Sequence, residues 1–299
     1  PAPAAARAVT DGLAVVDKPA GMTSHDVVGR CRRIFAQRRV GHAGTLDPDA
    51  TGVLLVGLGP ATRLLRFLSA LTKTYTGQVV LGRATSTGDA SGEVVGSWDM
   101  SGVTLEQARE AALGLTGEID QVPPMVSALK VGGRRLHHLA RAGLEVERKP
   151  RRVLVSRFEL FATEEPGVFD LEVVCGSGTY VRALAADLGA ALGGGAYLRG
   201  LRRTSVGSFD LGQARQVDQL DASCVLAPAE ALRDYPSVRV GEELRRMVLN
   251  GTVLDKAALG VAGEGPWPVL DEQGDLLGVY EASSLGRAKP AVVLAPAAG

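Results

Sequence analysis

Apolar and polar positions along this chain follow two different periods, and the period switches repeatedly. In TSHDVVGRCRRIFA, Val27, Val28, Cys31, Ile34 and Phe35 recur every three to four residues, which predicts one buried helix face with Thr23 or Ser24 as its N-cap. TYTGQVVLG alternates instead, as a sheet strand does. GLAVVDKPAG predicts a short strand closed by a Pro-Gly turn, and ATGVLLVGLG a buried strand or the start of a helix. ATRLLRFLSAL is patterned as an amphipathic helix, and LEQAREAALGL as a helix stopping near Gly117. RRVLVSRFELFA and FDLEVVCGSGTY predict two strands in hairpin succession, with VRALAADLGAAL as the helix after them. Strands and helices interleaved with antiparallel pairs predict an α+β or α/β class, a mixed sheet with helices packed on it.

Two segments depart from this rhythm. Residues 121–152, QVPPMVSALKVGGRRLHHLARAGLEVERKPRR, open on a proline pair, carry a glycine pair and are dense in Lys and Arg, and so predict a functional excursion from the sheet. After Tyr235-Pro236 the composition shifts to short strands, a helix EELRRMVLNG and a turn at Gln273-Gly274-Asp275. That pattern predicts a small β barrel of about 60 residues, marginal alone by surface-to-volume scaling and therefore docked on the rest. The expected division is a loose tail at 1–10, a main domain at 11–235 and a C-terminal domain at 236–299.

Composition narrows the class. With 45% hydrophobic and 22% charged residues, the chain of 299 can build a substantial core and is not patterned for disorder. No apolar run approaches the ~18 residues that cross a bilayer. PAPAAARAVT lacks the charged start and apolar stretch of a secretory signal, so the cytoplasm is the expected compartment. Cys31, Cys175 and Cys224 are widely spaced, and His25, His42, His137 and His138 form no ligand cluster, so neither disulfides nor a metal are expected. Net charge is zero, which alone argues against nucleic acid. Its distribution argues otherwise: basic residues bunch at Arg30–Arg39, at Arg148, Lys149, Arg151 and Arg152, and at Arg199, Arg202 and Arg203. Acids collect elsewhere, as at Glu164 and Glu165, which allows a positive face on a neutral protein.

The candidate chemistry lies in GHAGTLDPDATG, residues 41–52. Three glycines and Pro48 define a loop, and Asp47 directly precedes the proline, which holds its backbone extended. By shape alone Asp47 could equally cap a helix beginning near Asp49.

GHAGTLDPDATGVLLV resembles the active-site segment of the TruB-type bacterial pseudouridine synthases. VVDKPAGMTSHDVV, KTY at Lys73–Tyr75, PPMVSALKVGGRR with LARAGLEVERKPRRV, and GSGTYVRALAADLG resemble the family's other motifs, in order, over residues 12 to 210. The C-terminal segment resembles, more weakly, a small RNA-binding barrel of the PUA kind. The resemblance implies a mainly antiparallel pseudouridine synthase fold and isomerisation of a uridine, position 55 in the TΨC arm of tRNA, to pseudouridine. That reaction breaks C1′–N1 and joins C5 to C1′ without redox or group transfer, so no cofactor and no metal are expected. The resemblance assigns the reacting carboxylate to Asp47, which could attack C1′ or remove a proton from C2′. Arg182 would be its cationic partner, Tyr75 would stack on the flipped base, and Tyr180 and Leu201 would line the pocket. His42 would contact or replace the displaced nucleotide, while Lys18 and Pro19 would brace the loop and His25 would be structural. Lys130, Arg134, Arg135, Arg141, Arg148, Lys149, Arg151 and Arg152 would clamp the RNA.

Val126 and His137 stand where many relatives carry aromatic residues, which bears on RNA contact rather than chemistry. A monomer acting on tRNA, with no protein or membrane partner, is expected. Two other readings compete. The first is a non-catalytic tRNA-binding or folding chaperone, which would be free to lose Asp47, Tyr75 and Arg182. The second is a glycoside hydrolase using Asp47 and Asp49, but aromatics at 4% leave little for a sugar platform.

Overall fold

The computed structural model describes residues 10–125, 130–131, 134–135, 146–284 and 286–294. Its main sheet contains β1 (Gly12–Lys18), β2 (Val40–Ala43), β3 (Thr51–Leu58), β4 (Lys73–Leu81), β7 (Gly117–Gln121), β10 (Arg151–Ala162), β11 (Val168–Cys175) and β12 (Ala196–Val206). Short strands β13 (Phe209–Asp210), β14 (Arg215–Gln216) and β15 (Val225–Leu226) join its edge, while β5 (Arg83–Thr85) pairs with β6 (Val94–Ser97) and β8 (Lys130–Val131) with β9 (Arg134–Arg135). The order is β14-β1-β3-β12-β4-β11-β10-β7, antiparallel except at β1–β14 and β3–β12. This is the mixed, mainly antiparallel sheet of an α+β fold.

Both faces of β3 are covered, which explains the unbroken apolar run in TGVLLVGL. On β3, Leu54, Val56 and Leu58 join the core beneath α1 (Ser24–Ile34), α3 (Leu105–Leu113) and α4 (Val181–Ala191), while Val53 and Leu55 face the opposite core with Leu64, Phe67 and Leu68. The segment is therefore strand, not helix. Thr23 caps α1 through the Asp26 amide, as its spacing predicts, and α3 ends at Gly114. ATRLLRFLSAL divides into a 3-10 turn, Gly59–Leu64, and a short α2 (Leu65–Ala70).

AYLRGLRRTSV lacks a clean apolar–polar alternation, yet it forms the central strand β12. Its polar positions carry arginines, and register shifts between Arg199 and Arg202 and between Arg203 and Ser205 interrupt the alternation. No helix starts near Asp49, because the chain passes from a turn closed by Ala50 N–H to the Asp47 carbonyl straight into β3.

The remaining strands, β16 (Val238–Arg239), β17 (Leu254–Asp255), β18 (Trp267–Leu270), β19 (Leu276–Ala282) and β20 (Arg287–Val293), form a second sheet in the order β16-β18-β19-β20-β17. It is a curled half-barrel with α5 (Glu242–Leu249) and α6 (Lys256–Leu259) against it, open between its end strands among the described residues. Leu276, Val279, Val292 and Leu294 pack into the same core as Leu64 and Phe67, so the sheet is docked on the main body. Arg66 pairs with Glu281 across this contact.

Candidate active site

Asp47 is held by its backbone before it is held by its charge. Lys18, fully buried at the end of β1, donates to the Pro48 carbonyl at 2.9 Å, the Met22 carbonyl at 2.6 Å and the Pro19 carbonyl at 2.9 Å. The Gly21 amide reaches the same Pro48 carbonyl at 3.0 Å. Ser24 Oγ accepts from the Leu46 amide at 2.9 Å and donates to the Leu46 carbonyl at 3.1 Å. The start of α1 and the end of β1 thus brace the loop on both sides of Asp47. Burial depresses the Lys18 pKa to about 8, and Asp49 and Asp47 partly restore it.

Behind the loop lies Arg203, wholly buried on β12. It donates to the Val53 carbonyl at 2.6 Å and the Gly44 carbonyl at 3.0 Å, and its guanidinium lies 6.0 Å from the Tyr75 ring centre. This corrects the basic bunch expected on β12. Arg203 is internal, Arg202 forms a two-pronged pair with Asp17, and Arg199 pairs with Glu165 at 2.6 Å. The charges there are neutralised locally because acids that lie elsewhere in sequence return to the same sheet.

Arg182, on the first turn of α4 and 4% exposed, meets Asp47 with two nitrogens, Nε to Oδ2 at 2.9 Å and Nη2 to Oδ1 at 3.1 Å. Its Nη1 donates to the Thr87 carbonyl at 2.7 Å, which fixes the fork's direction. Asp89 lies 3.6 Å from the same Nε. Thr87 and Ser91 hydroxyls donate to Asp89 Oδ1, each at 2.6 Å. Sequence reasoning misses Asp89, since an aspartate within STGDASG has the signature of an ordinary Asx turn.

Burial is the largest influence on Asp47 and raises its pKa. Arg182 opposes that, and Asp89 raises it further. The side chain keeps 39% of its surface open toward a cleft, so the enclosing walls and not complete burial desolvate it. Tyr75, on β4 and 7% exposed, stands in the same cleft with its phenol kept protonated by burial. Gly44, Leu46, Lys73, Tyr180 and Leu201 complete the lining around Asp47, Tyr75 and Arg182. The volume is about 320 Å³, ordinary for a small-ligand pocket. A second recess on the other side of Asp47 is lined by Asp49, Asp89, Ser91, Leu198 and, again, Arg182 and Leu201.

The fold therefore brings together Asp47, Tyr75, Tyr180, Arg182 and Leu201, which lie far apart in sequence. His42 sits on β2 opposite Val56, outside the lining of both recesses. Burial, with Arg203 and His25 nearby, keeps it neutral, and its Nδ1 is buried without a hydrogen-bond partner. His25 is exposed on α1. Among the expected clamp residues, Arg148 donates to the Pro123 carbonyl at 3.1 Å, and Arg152 pairs with Glu118 at 3.1 Å. Arg151 and Lys149 are exposed with no ion partner among the described residues. The side chains of Lys130, Arg134 and Arg135, and the whole of Val126, His137 and Arg141, lie outside the described residues. Among the described residues no group of three His, Cys, Asp or Glu side chains could hold a metal ion, and no helix is long and apolar enough to cross a membrane.

Known proteins resemble this chain in sequence and in fold. Residues 32–181 match the N-terminal domain of the TruB family of pseudouridylate synthases, and residues 182–252 the C-terminal domain of tRNA pseudouridylate synthase B. The tRNA pseudouridine synthase B of Rhodococcus jostii (strain RHA1) is 47% identical over 293 residues, covering 96% of this chain and 94% of the relative. That of Mycobacterium tuberculosis (strain ATCC 25618 / H37Rv) is 55% identical over 212 residues, 70% of this chain and 71% of the relative. Among solved structures, a chain of a Cbf5-Nop10-Gar1 complex superposes with a TM-score of 0.72 at 24% identity, covering 96% of this chain and 84% of the other, a likeness of fold. The loop that presents Asp47, the sheet that carries Tyr75 and the helix that carries Arg182 all fall within the matched residues, and the chain belongs to the TruB family of pseudouridylate synthases.

Proposed function

We propose that Asp47 is the carboxylate that acts at the ribose as this protein isomerises a uridine of tRNA to pseudouridine, the uridine at position 55 of the T arm. The isomerisation of tRNA uridine is the activity of the family. The observation that carries the residue assignment is the two-pronged Arg182–Asp47 pair at the edge of a cleft that also holds Tyr75.

C1′–N1 breaks, the uracil turns, C5–C1′ forms, C5 loses its proton and N1 gains one. An ionised oxygen beside C1′ serves either attack on C1′ or removal of the C2′ proton, and Arg182 favours the ionised form of Asp47, opposing the upward pull of burial. The Tyr75 ring supplies a face for the loosened base, worth about 1–3 kcal/mol in stacking. Extruding the uridine from a folded arm costs a few kcal/mol, which phosphate contacts from the basic insertion offset.

The test is conversion of an unmodified tRNA transcript, mapped by carbodiimide-dependent primer-extension stops. Wild type is expected to convert one uridine of the T arm and Asp47→Asn none. Conversion by both would end the assignment to Asp47.

A further inference from the structure

We propose that Gln121 is a positioning residue for this reaction, its side-chain amide fixing the first turn of α4, and with it Arg182, to the stem of the insertion. Gln121 is the last residue of β7 and is 1% exposed. Its Oε1 accepts from the Tyr180 amide at 2.7 Å, and its Nε2 donates to the Tyr180 carbonyl at 3.2 Å. The side chain thus pairs with Tyr180 as a second peptide group would. Tyr180 occupies the N-cap of α4, where no side chain of its own accepts the free amides. Its carbonyl also takes the Ala183 and Leu184 amides, each at 3.1 Å, so Gln121 grips the peptide on which the first turn is built.

Arg182 is the second residue of that turn. Its guanidinium is aligned from outside by the Thr87 carbonyl, and its backbone from beneath by Gln121. The same glutamine marks the base of the insertion. Gln121 pairs in register with Arg151, and the next turn of the stem is closed by Arg148 donating to the Pro123 carbonyl at 3.1 Å. Force or order imposed on the insertion by RNA therefore reaches the Asp47–Arg182 pair through one buried amide. The role is one of positioning, since Gln121 is absent from the cleft lining.

The inference rests on the reading of Asp47 and Arg182 as the reacting pair, and the experiment separates the two. Gln121→Met and Gln121→Glu are made in the full chain and followed by thermal melting, tRNA affinity, and single-turnover conversion of unmodified tRNA across pH, beside Asp47→Asn. Gln121→Met is expected to fold and to bind tRNA as wild type does. Its conversion slows about tenfold or more, because small misplacements of a reacting pair are costly. Its acid limb moves to higher pH, because a loosened Arg182 stabilises the Asp47 carboxylate less. Gln121→Glu keeps the acceptor for the Tyr180 amide and falls between wild type and Gln121→Met. If Gln121→Met does not fold, Gln121→Glu alone decides, by a slowed rate with a displaced acid limb. Wild-type rates, a slowed rate with an unmoved acid limb, or unfolding of both variants would overturn the role of Gln121. If Asp47→Asn still converts tRNA, the reading of Asp47 fails instead.

Discussion

Burial works against the charge on Asp47, and Arg182 is the main influence that favours it. Burial raises the Asp47 pKa above its ordinary value, so the rate of conversion should rise with pH through a limb displaced upward from the ~3.9 of a free aspartate. A single-turnover pH profile measures this. Arg182→Lys keeps one positive charge but cannot supply Nε and Nη2 to Asp47 and Nη1 to Thr87 together. Conversion is expected to fall by about 10²-fold or more, with the acid limb moved further up and melting little changed. An unchanged rate would remove Arg182 from the mechanism. Arg203 acts beneath the same site by a different means. Arg203→Met strands the Val53 carbonyl in the interior, at about 1–3 kcal/mol if it finds no other donor, and leaves the half-buried Gly44 carbonyl to solvent in the cleft. Denaturant unfolding should show that loss, accompanied by slower conversion as Tyr75 and the Gly44 turn lose their common support. Sequence made Asp47 and Arg182 legible because they lie within long matching motifs. Arg203 and Asp89 were hidden, since a run of arginines has the appearance of surface charge and STGDASG that of a turn.

The active-site loop is an element whose shape depends on backbone freedom at one position. Gly52 has a φ of +104° where β3 pairs in parallel with β12, and a Cβ there would stand 2.1 Å from the Arg203 carbonyl. Gly52→Ala must therefore push two central strands apart, and a loss above about 2 kcal/mol in denaturant unfolding is expected, since strain and backbone clash belong to the severe class of substitutions. A smaller loss would mean that the junction yields. Period and caps identified β1, β4, β10, β11, α1 and α4 from sequence, because their apolar positions recur at strand or helix spacing; β1 divides its residues between two cores, Ala14 and Val16 in one and Leu13 and Val15 in the other. The same rules failed on β12, whose arginines project from the sheet to partners remote in sequence, Asp17 and Glu165 among them.

Over the whole molecule, formal neutrality conceals an uneven supply of free cations. Around the insertion, Lys149 and Arg151 lack ion partners among the described residues, whereas Arg152 is paired with Glu118 and Arg148 is engaged with the backbone. Joint substitution of Lys149 and Arg151 by alanine should flatten the dependence of tRNA affinity on salt by about 0.7–0.9 in log–log slope for each phosphate left without its cation. Arg152→Ala should change it less, because Glu118 already screens that charge. Affinity measured at a series of salt concentrations distinguishes these outcomes, and an identical slope in the double variant would refute the clamp. The C-terminal sheet was legible as a small β unit, and its need to dock followed from its size. The side it presents to Leu64 and Phe67 did not. By itself the sequence pointed to the family, to a candidate carboxylate and to the alternation of strand and helix, because these reside in local pattern and in motifs read along the chain. Only the tertiary structure decided which charges are spent and which are free. An ion pair such as Arg182–Asp47 or Arg199–Glu165 depends on distances across the sheet, and no spacing along the chain encodes them.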